Sequence, residues 1–173
     1  MRAVVVFESM FGNTKAVAEA VAEGVSEQMP VTVVEVGDAP KSIGANVDLV
    51  VVGAPTHAFG LSRAQTRADA ARQASHGLVS KGIGLREWLS TARAESPGIV
   101  AAAFDTRIRH VPGSAARAAR RRLRDLGYRA DVPAESFFVA GTPGPLADGE
   151  LARARKWGNE LATTATSRAA HAR

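Results

Sequence analysis

The chain contains no cysteine among its 173 residues. Disulfides, thiolate metal sites and thiol catalysis are therefore excluded. Aromatic residues are scarce, at 5% of the sequence, with Tyr128 the single tyrosine. Basic residues concentrate in two stretches, 63–72 and 117–124, and neither has aromatics interleaved for stacking bases. No apolar run is long enough to span a bilayer. The N-terminal apolar run covers only Ala3 to Phe7 before Glu8 interrupts it, so it does not read as a secretory leader. A soluble, cytoplasmic protein is expected, with no membrane partner. His57, His76, His110 and His171 lack metal-ligand spacing, so no metal is expected. No ATP-type phosphate loop is present, and Gly82-x-Gly84 has Glu87 where a dinucleotide fingerprint needs its third glycine. There is no internal repeat, and no acid–base set marks a catalytic residue.

Apolar residues make up 46% of the chain, and its length suits one domain with a full core. The net charge is +5 and the sequence pI about 10.4. General positive charge supports only weak, salt-sensitive binding to nucleic acid, which is not expected to be the main partner.

One stretch organises the rest. Val4-Val5-Val6-Phe7 is a short apolar run, and Glu8 to Asn13 is a small loop with one glycine. Val17, Ala18, Val21, Ala22 and Val25 then recur at helical spacing. The pattern reads as strand, tight loop and helix, with the helix from Asn13 to Gln28 stopped by Pro30. Such a loop directs backbone N–H groups and the positive helix end at one point, which suits a phosphate. An ordinary strand–helix connection has the same outline.

Val31–Val36, Asp48–Gly53, Ile99–Phe104 and a last region within 128–140 read as further strands. A short helix or turn is expected over 41–45, a partly ordered excursion over 61–82, and a helix from Gly84. Asp105 to Gly113 reads as a loop, and Ser114 as the N-cap of a helix to Leu126. On that helix Ala115, Ala119, Leu123 and Leu126 face inward, and Arg117, Arg120, Arg121 and Arg124 outward. The final helix, about Asp148 to Thr164, buries Leu151, Ala154, Trp157, Gly158 and Leu161. Strands alternating with helices imply an α/β fold with a doubly wound, five-stranded parallel sheet. Ligands of such sheets sit beyond the carboxyl ends of the strands, which singles out loops 8–14, 54–60 and 105–113.

Ser9-Met10-Phe11-Gly12-Asn13-Thr14 directly after the first strand, and Gly53-Ala54-Pro55-Thr56-His57-Ala58-Phe59-Gly60 after the third, resemble the two flavin loops of flavodoxin. The chain is also similar to a subset of flavodoxin-like proteins with Glu-Ser-Met-Phe-Gly-Asn-Thr and Pro-Thr-His in these loops. The resemblance implies strand order 2-1-3-4-5 in a three-layer sandwich over residues 1–166, with 167–173 a frayed tail. It implies FMN as cofactor and electron transfer as function. Ser9 and Thr14 and the backbone of Met10, Phe11, Gly12 and Asn13 would cradle the phosphate, with Phe11 standing where the family usually has a hydroxyl. Pro55, Thr56, His57, Ala58, Phe59 and Gly60 would lie along the flavin, with Phe59 stacking and His57 reaching a heteroatom. Asp105, Thr106 and Arg107 begin the third loop, which departs from the family's glycine-rich acidic loop and has no tyrosine or tryptophan to stack on the flavin. One flavin face is then open to a substrate or partner, and Arg107 or Arg109 near the pyrimidine end would favour an anionic reduced flavin. Because typical flavodoxins are acidic, a basic chain implies an acidic redox partner or a small-molecule acceptor. The readings left open are a carrier, an FMN-dependent oxidoreductase, an interaction module of the same fold that binds no FMN, and nucleic-acid binding by 117–124. Oligomeric state is not legible.

Overall fold

A computed structural model describes residues 1–171. Five strands form one parallel sheet: β1 (Ala3–Phe7), β2 (Val31–Glu35), β4 (Leu49–Pro55), β6 (Val100–Ile108) and β7 (Glu135–Val139), in the order β2-β1-β4-β6-β7. Counting these strands alone, the order is the expected 2-1-3-4-5. The central strands are apolar on both faces because helices cover both. Val4, Val6, Val50, Val52, Ala101 and Ala103 pack on one side with α3 (Leu85–Thr91) and α4 (Ala115–Asp125). Ala3, Val5, Phe7, Leu49, Val51 and Ala102 pack on the other with α1 (Asn13–Ser26) and α5 (Glu150–His171). On the α5 side Phe104, Phe137 and Trp157 meet edge to face, with centroids 5.9–6.2 Å apart. Gly53 lies opposite Phe104 in the ladder, and a Cβ there would come within 2.0 Å of the Phe104 ring.

Several local expectations change. Residues 41–45 hold no helix; β3 (Ser42–Ile43) pairs instead with β5 (Arg93–Ala94) in a separate two-stranded sheet. The excursion contains an ordered helix, α2 (Ala64–Gln73). Ile108 ends β6, so 105–108 belong to the strand rather than to a loop, held by pairing with β7. α5 runs to His171, past Thr164, and residues 172–173 at the end of the expected tail lie outside the described residues. Leu151 is 46% exposed, against the expected burial. Ser114 caps α4 as expected, accepting from the Arg117 N–H at 3.2 Å. Arg120 and Arg124 curl back from the outward face onto the Ala130 carbonyl. No described helix is long and apolar enough to cross a membrane.

α1 and α5 touch backbone to backbone at two glycines. A Cβ on Gly158 would lie 2.1 Å from the Val21 carbonyl oxygen, and one on Gly24 1.9 Å from the Arg155 carbonyl oxygen. Gly158→Ala must separate the helices, a cost of about 1–3 kcal/mol by overpacking. That exceeds the gain of up to ~1 kcal/mol from the better helix former. Chemical denaturation should therefore show a net loss of stability; a gain would mean the helices part freely.

Candidate functional site

β1 carries the chain to the carboxyl edge of the sheet, where Ser9 and Met10 are buried. The backbone then turns through Gly12, at φ 97°, and α1 begins with no side-chain cap. Its first amides lack intrahelical partners and lie at the positive helix end. A Cβ on Gly12 would meet nothing within 4 Å, so the loop faces open space. The Gly12 N–H donates to Ser9 Oγ at 3.1 Å, which leaves the Ser9 hydroxyl proton to donate elsewhere. Thr14 and Thr106 share a 2.7 Å bond between hydroxyls, so one hydroxyl proton of that pair also remains. The loop is strapped from outside: Val79 N–H donates to the Met10 carbonyl, Ser80 N–H to the Ser9 carbonyl, and Ser9 N–H to Ser80 Oγ, all within 3.0 Å.

A cavity of about 350 Å³ opens at this edge, within the size range of small-molecule sites. Of the residues singled out from sequence, Ser9, Met10, Phe11, Asn13, Thr14, Pro55, Thr56, His57, Ala58, Thr106 and Arg107 line it. Gly12, Phe59, Gly60 and Asp105 are outside the lining. Phe59 sits at the tip of a tight turn in which His57 and Gly60 exchange backbone bonds of 2.8 and 3.0 Å. Ala58 and Phe59 hold positive φ there, 41° and 73°, and the ring points into solvent, 70% exposed. Asp105 is fully buried. Its Oδ2 accepts from Thr56 Oγ1, Ser114 Oγ and the Ala116 N–H, so it ties the second loop to the start of α4. Arg107 is fixed by Ser136 Oγ and by the Val111 and Gly113 carbonyls, with Asp105 Oδ1 4.0 Å away.

Ile108 and Val111, within the expected loop 105–113, also line the cavity, but sequence reasoning missed two walls: α2 contributes Thr66, Asp69, Ala70 and Gln73, and the segment after β7 contributes Gly141, Thr142 and Pro143. The last was legible in part, because it follows the strand beside β6, and Asn13 Nδ2 donates to the Pro143 carbonyl at 2.7 Å.

His57 lines the cavity, and burial, with the nearby Arg67 charge, holds its imidazole below its ordinary pKa. It is neutral at pH 7, with one donor and one acceptor. Beneath the first loop Glu8 is fully buried. Its carboxylate receives the Ser62 hydroxyl and, at 2.7 Å, the Leu85 N–H. Arg67 spans from Ser62 Oγ (2.9 Å) to Glu87 Oε1 (3.1 Å), and Glu87 Oε2 accepts from the Gly84 N–H. This network joins both ends of the α2 excursion to the end of β1.

Burial pushes the Glu8 carboxyl above its ordinary 4.5, with the Ser62 and Leu85 bonds and Arg67 acting against it. Between 4.5 and that raised value the folded chain holds a proton the unfolded chain has lost, so stability falls as pH rises through this window. Glu8→Gln should flatten that decline when urea midpoints are measured against pH. A slope equal to that of the parent protein would contradict the assignment.

Residues 5–88 match the family model for flavodoxin. No curated protein matches in sequence. Among solved structures, a flavodoxin from the domain Archaea is 19% identical with a TM-score of 0.64, covering 96% of this chain and 99% of its own. Oxidised Flavodoxin 1 from Bacillus cereus is 19% identical with a TM-score of 0.67, covering 94% and 98%. The flavodiiron protein from Giardia intestinalis is 20% identical with a TM-score of 0.62, covering 96% of this chain and 36% of its own. The family match covers residues 5–88, just under half of the chain, and the flavodoxin-like fold is shared over nearly its whole length.

Proposed function

We propose that the protein binds FMN non-covalently and transfers electrons through it, in the cytoplasm. The observation that carries this reading is the cavity at the ends of β1, β4 and β6, which opens on an uncapped helix start. The donor set fits a phosphate dianion: the amides of Asn13 and Thr14, the remaining hydroxyl protons of Ser9 and the Thr14–Thr106 pair, and open space at Gly12. Phe11 adds no donor, so backbone amides carry much of that contact. When bound, FMN takes up and returns electrons, and the protein tunes how readily it does so. Thr56, His57 and Ala58 would flank the ring on one side and α2 on the other. The neutral His57 would offer a hydrogen bond to a ring heteroatom. Asp105 acts indirectly, by holding Thr56. Arg107 brings positive charge to the cavity edge and would favour an anionic reduced flavin.

The same reading includes FMN-dependent reduction of a small acceptor such as a quinone. It is motivated by a third loop with no tyrosine or tryptophan between 105 and 113 to cover the ring. The excess of basic residues favours acidic over basic protein partners.

Titration should show tight FMN uptake with quenched flavin fluorescence. Riboflavin, which lacks the phosphate, should bind at least about tenfold more weakly, since several charge-assisted bonds are lost. A colourless protein indifferent to FMN would overturn the proposal and leave an interaction module of this fold. In the loaded protein Arg107→Gln should lower the two-electron midpoint potential, by about 30 mV for each 1.4 kcal/mol of lost stabilisation of the anionic form. An unchanged potential would remove Arg107 from the account.

A further inference from the structure

The mouth of the cavity carries features that holding a flavin leaves unused. Three apolar side chains stand in solvent on one rim: Phe59 at 70% exposure, Val111 at 43% and Ile108 at 36%. They belong to the turn at 57–60 and to the end of β6 with the loop after it, and these two segments interlock. A Cβ on Gly113 would come within 2.5 Å of the Phe59 backbone, so these two backbones are in contact. Arg107 binds the carbonyls of Val111 and Gly113 and fixes the second loop. Positive φ at both Ala58 and Phe59 is an unfavourable backbone choice for residues with side chains. Here it presents an aromatic ring outward beside the cavity rather than into it.

The flank of this rim is cationic. The segments 57–63 and 106–124 together contain eight arginines and no aspartate or glutamate. Arg107, Arg120 and Arg124 are held by backbone carbonyls. Arg109 lies over the Phe138 ring at 4.1 Å, and Arg117 is exposed in the first turn of α4. Neither has an ion-pair partner within 4.0 Å among the described residues. An exposed ring with no wall around it is buried only by a second surface, and positive charge around it selects a negative one. A polynucleotide fits less well, because this rim offers a single solvent-exposed aromatic and no ladder of them.

We infer that this rim, centred on Phe59 and flanked by Arg109 and Arg117, is the docking surface for a redox protein whose own face is acidic around an apolar centre. The inference rests on the electron-transfer reading and deepens it by naming the surface and the partner's charge. Contacts of this kind are small, transient and steered by charge.

The test titrates the isotope-labelled full chain with an acidic plant-type [2Fe–2S] ferredoxin, using basic cytochrome c as control, and follows backbone amides by NMR. The expected result is shifts or broadening confined to 57–63 and 107–117 with ferredoxin, lost at about 300 mM salt as charges are screened, and none with cytochrome c. Arg109→Glu combined with Arg117→Glu should weaken the contact at least tenfold. Phe59→Ser should weaken it severalfold while leaving its salt dependence. No perturbation, perturbation elsewhere, an equal response to cytochrome c, or displacement of ferredoxin from these amides by a single-stranded oligonucleotide would each overturn the inference. FMN uptake is measured on the same samples. Uptake without ferredoxin contact overturns this surface alone. Ferredoxin contact on a protein that takes no FMN overturns the redox assignment and keeps an acidic-partner surface.

Discussion

Glu8 directly follows β1 as a fully buried carboxylate, and a charge in that position needs partners or a proton. It finds Ser62 at the start of the excursion and the Leu85 amide at its end, with Arg67 bridging to Glu87 between them. The consequence is geometric. A segment of more than twenty residues is tied at both ends to the root of the phosphate-type loop. Its helix α2 becomes a wall of the cavity, and its Val79–Ser80 strap fixes the backbone of Ser9 and Met10. Loop, wall and strap are then one rigid unit on the sheet. A site built in this way loses little entropy on taking up a ligand.

Much of this was legible in the residues. The run Val4 to Phe7, the single Gly12 and the helical spacing from Val17 to Val25 fixed strand, loop and helix, because local periodicity and turn chemistry determine them. Both flavin-type loops line one cavity, as their positions at strand ends require. The losses have physical causes. α2 has little apolar periodicity, and Ala70 is its one fully buried residue, so its place depends on the distant Glu8 network rather than on its own sequence. The β3–β5 pair has two residues per strand, too few to leave a pattern. Phe59 looks alike in sequence whether it closes the core edge or stands free; it is 70% exposed at a turn where Ala58 and Phe59 hold positive φ, and nothing in the residue types announces that conformation. Asp105 reads as a loop carboxylate, yet it is a buried anchor for Thr56 and the start of α4.

The charge pattern gives the fold a direction of its own. A parallel sheet with an open edge supplies a place for a phosphate whatever surrounds it. Asp69 of α2 lines the cavity opposite, but the β6–α4 side is rich in arginine, from the cavity edge at Arg107 through Arg109 to the first turns of α4. With FMN bound as proposed, these residues would bear on two separable quantities: how strongly the reduced, anionic flavin is held inside, and which surfaces are attracted outside. Fixed positive charge acts on both in the same sense, favouring negative charge at the site and on a partner.

The central claim is spatial: a phosphate rests on the start of α1 and the ring it carries fills the cavity under α2. A crystal structure of the protein grown with FMN tests it most directly. The account predicts phosphate oxygens about 3 Å from the Asn13 and Thr14 amides, with the ring between Thr56–His57 and α2. A phosphate bound at another place, or crystals from saturating FMN with no flavin in this cavity, would contradict it.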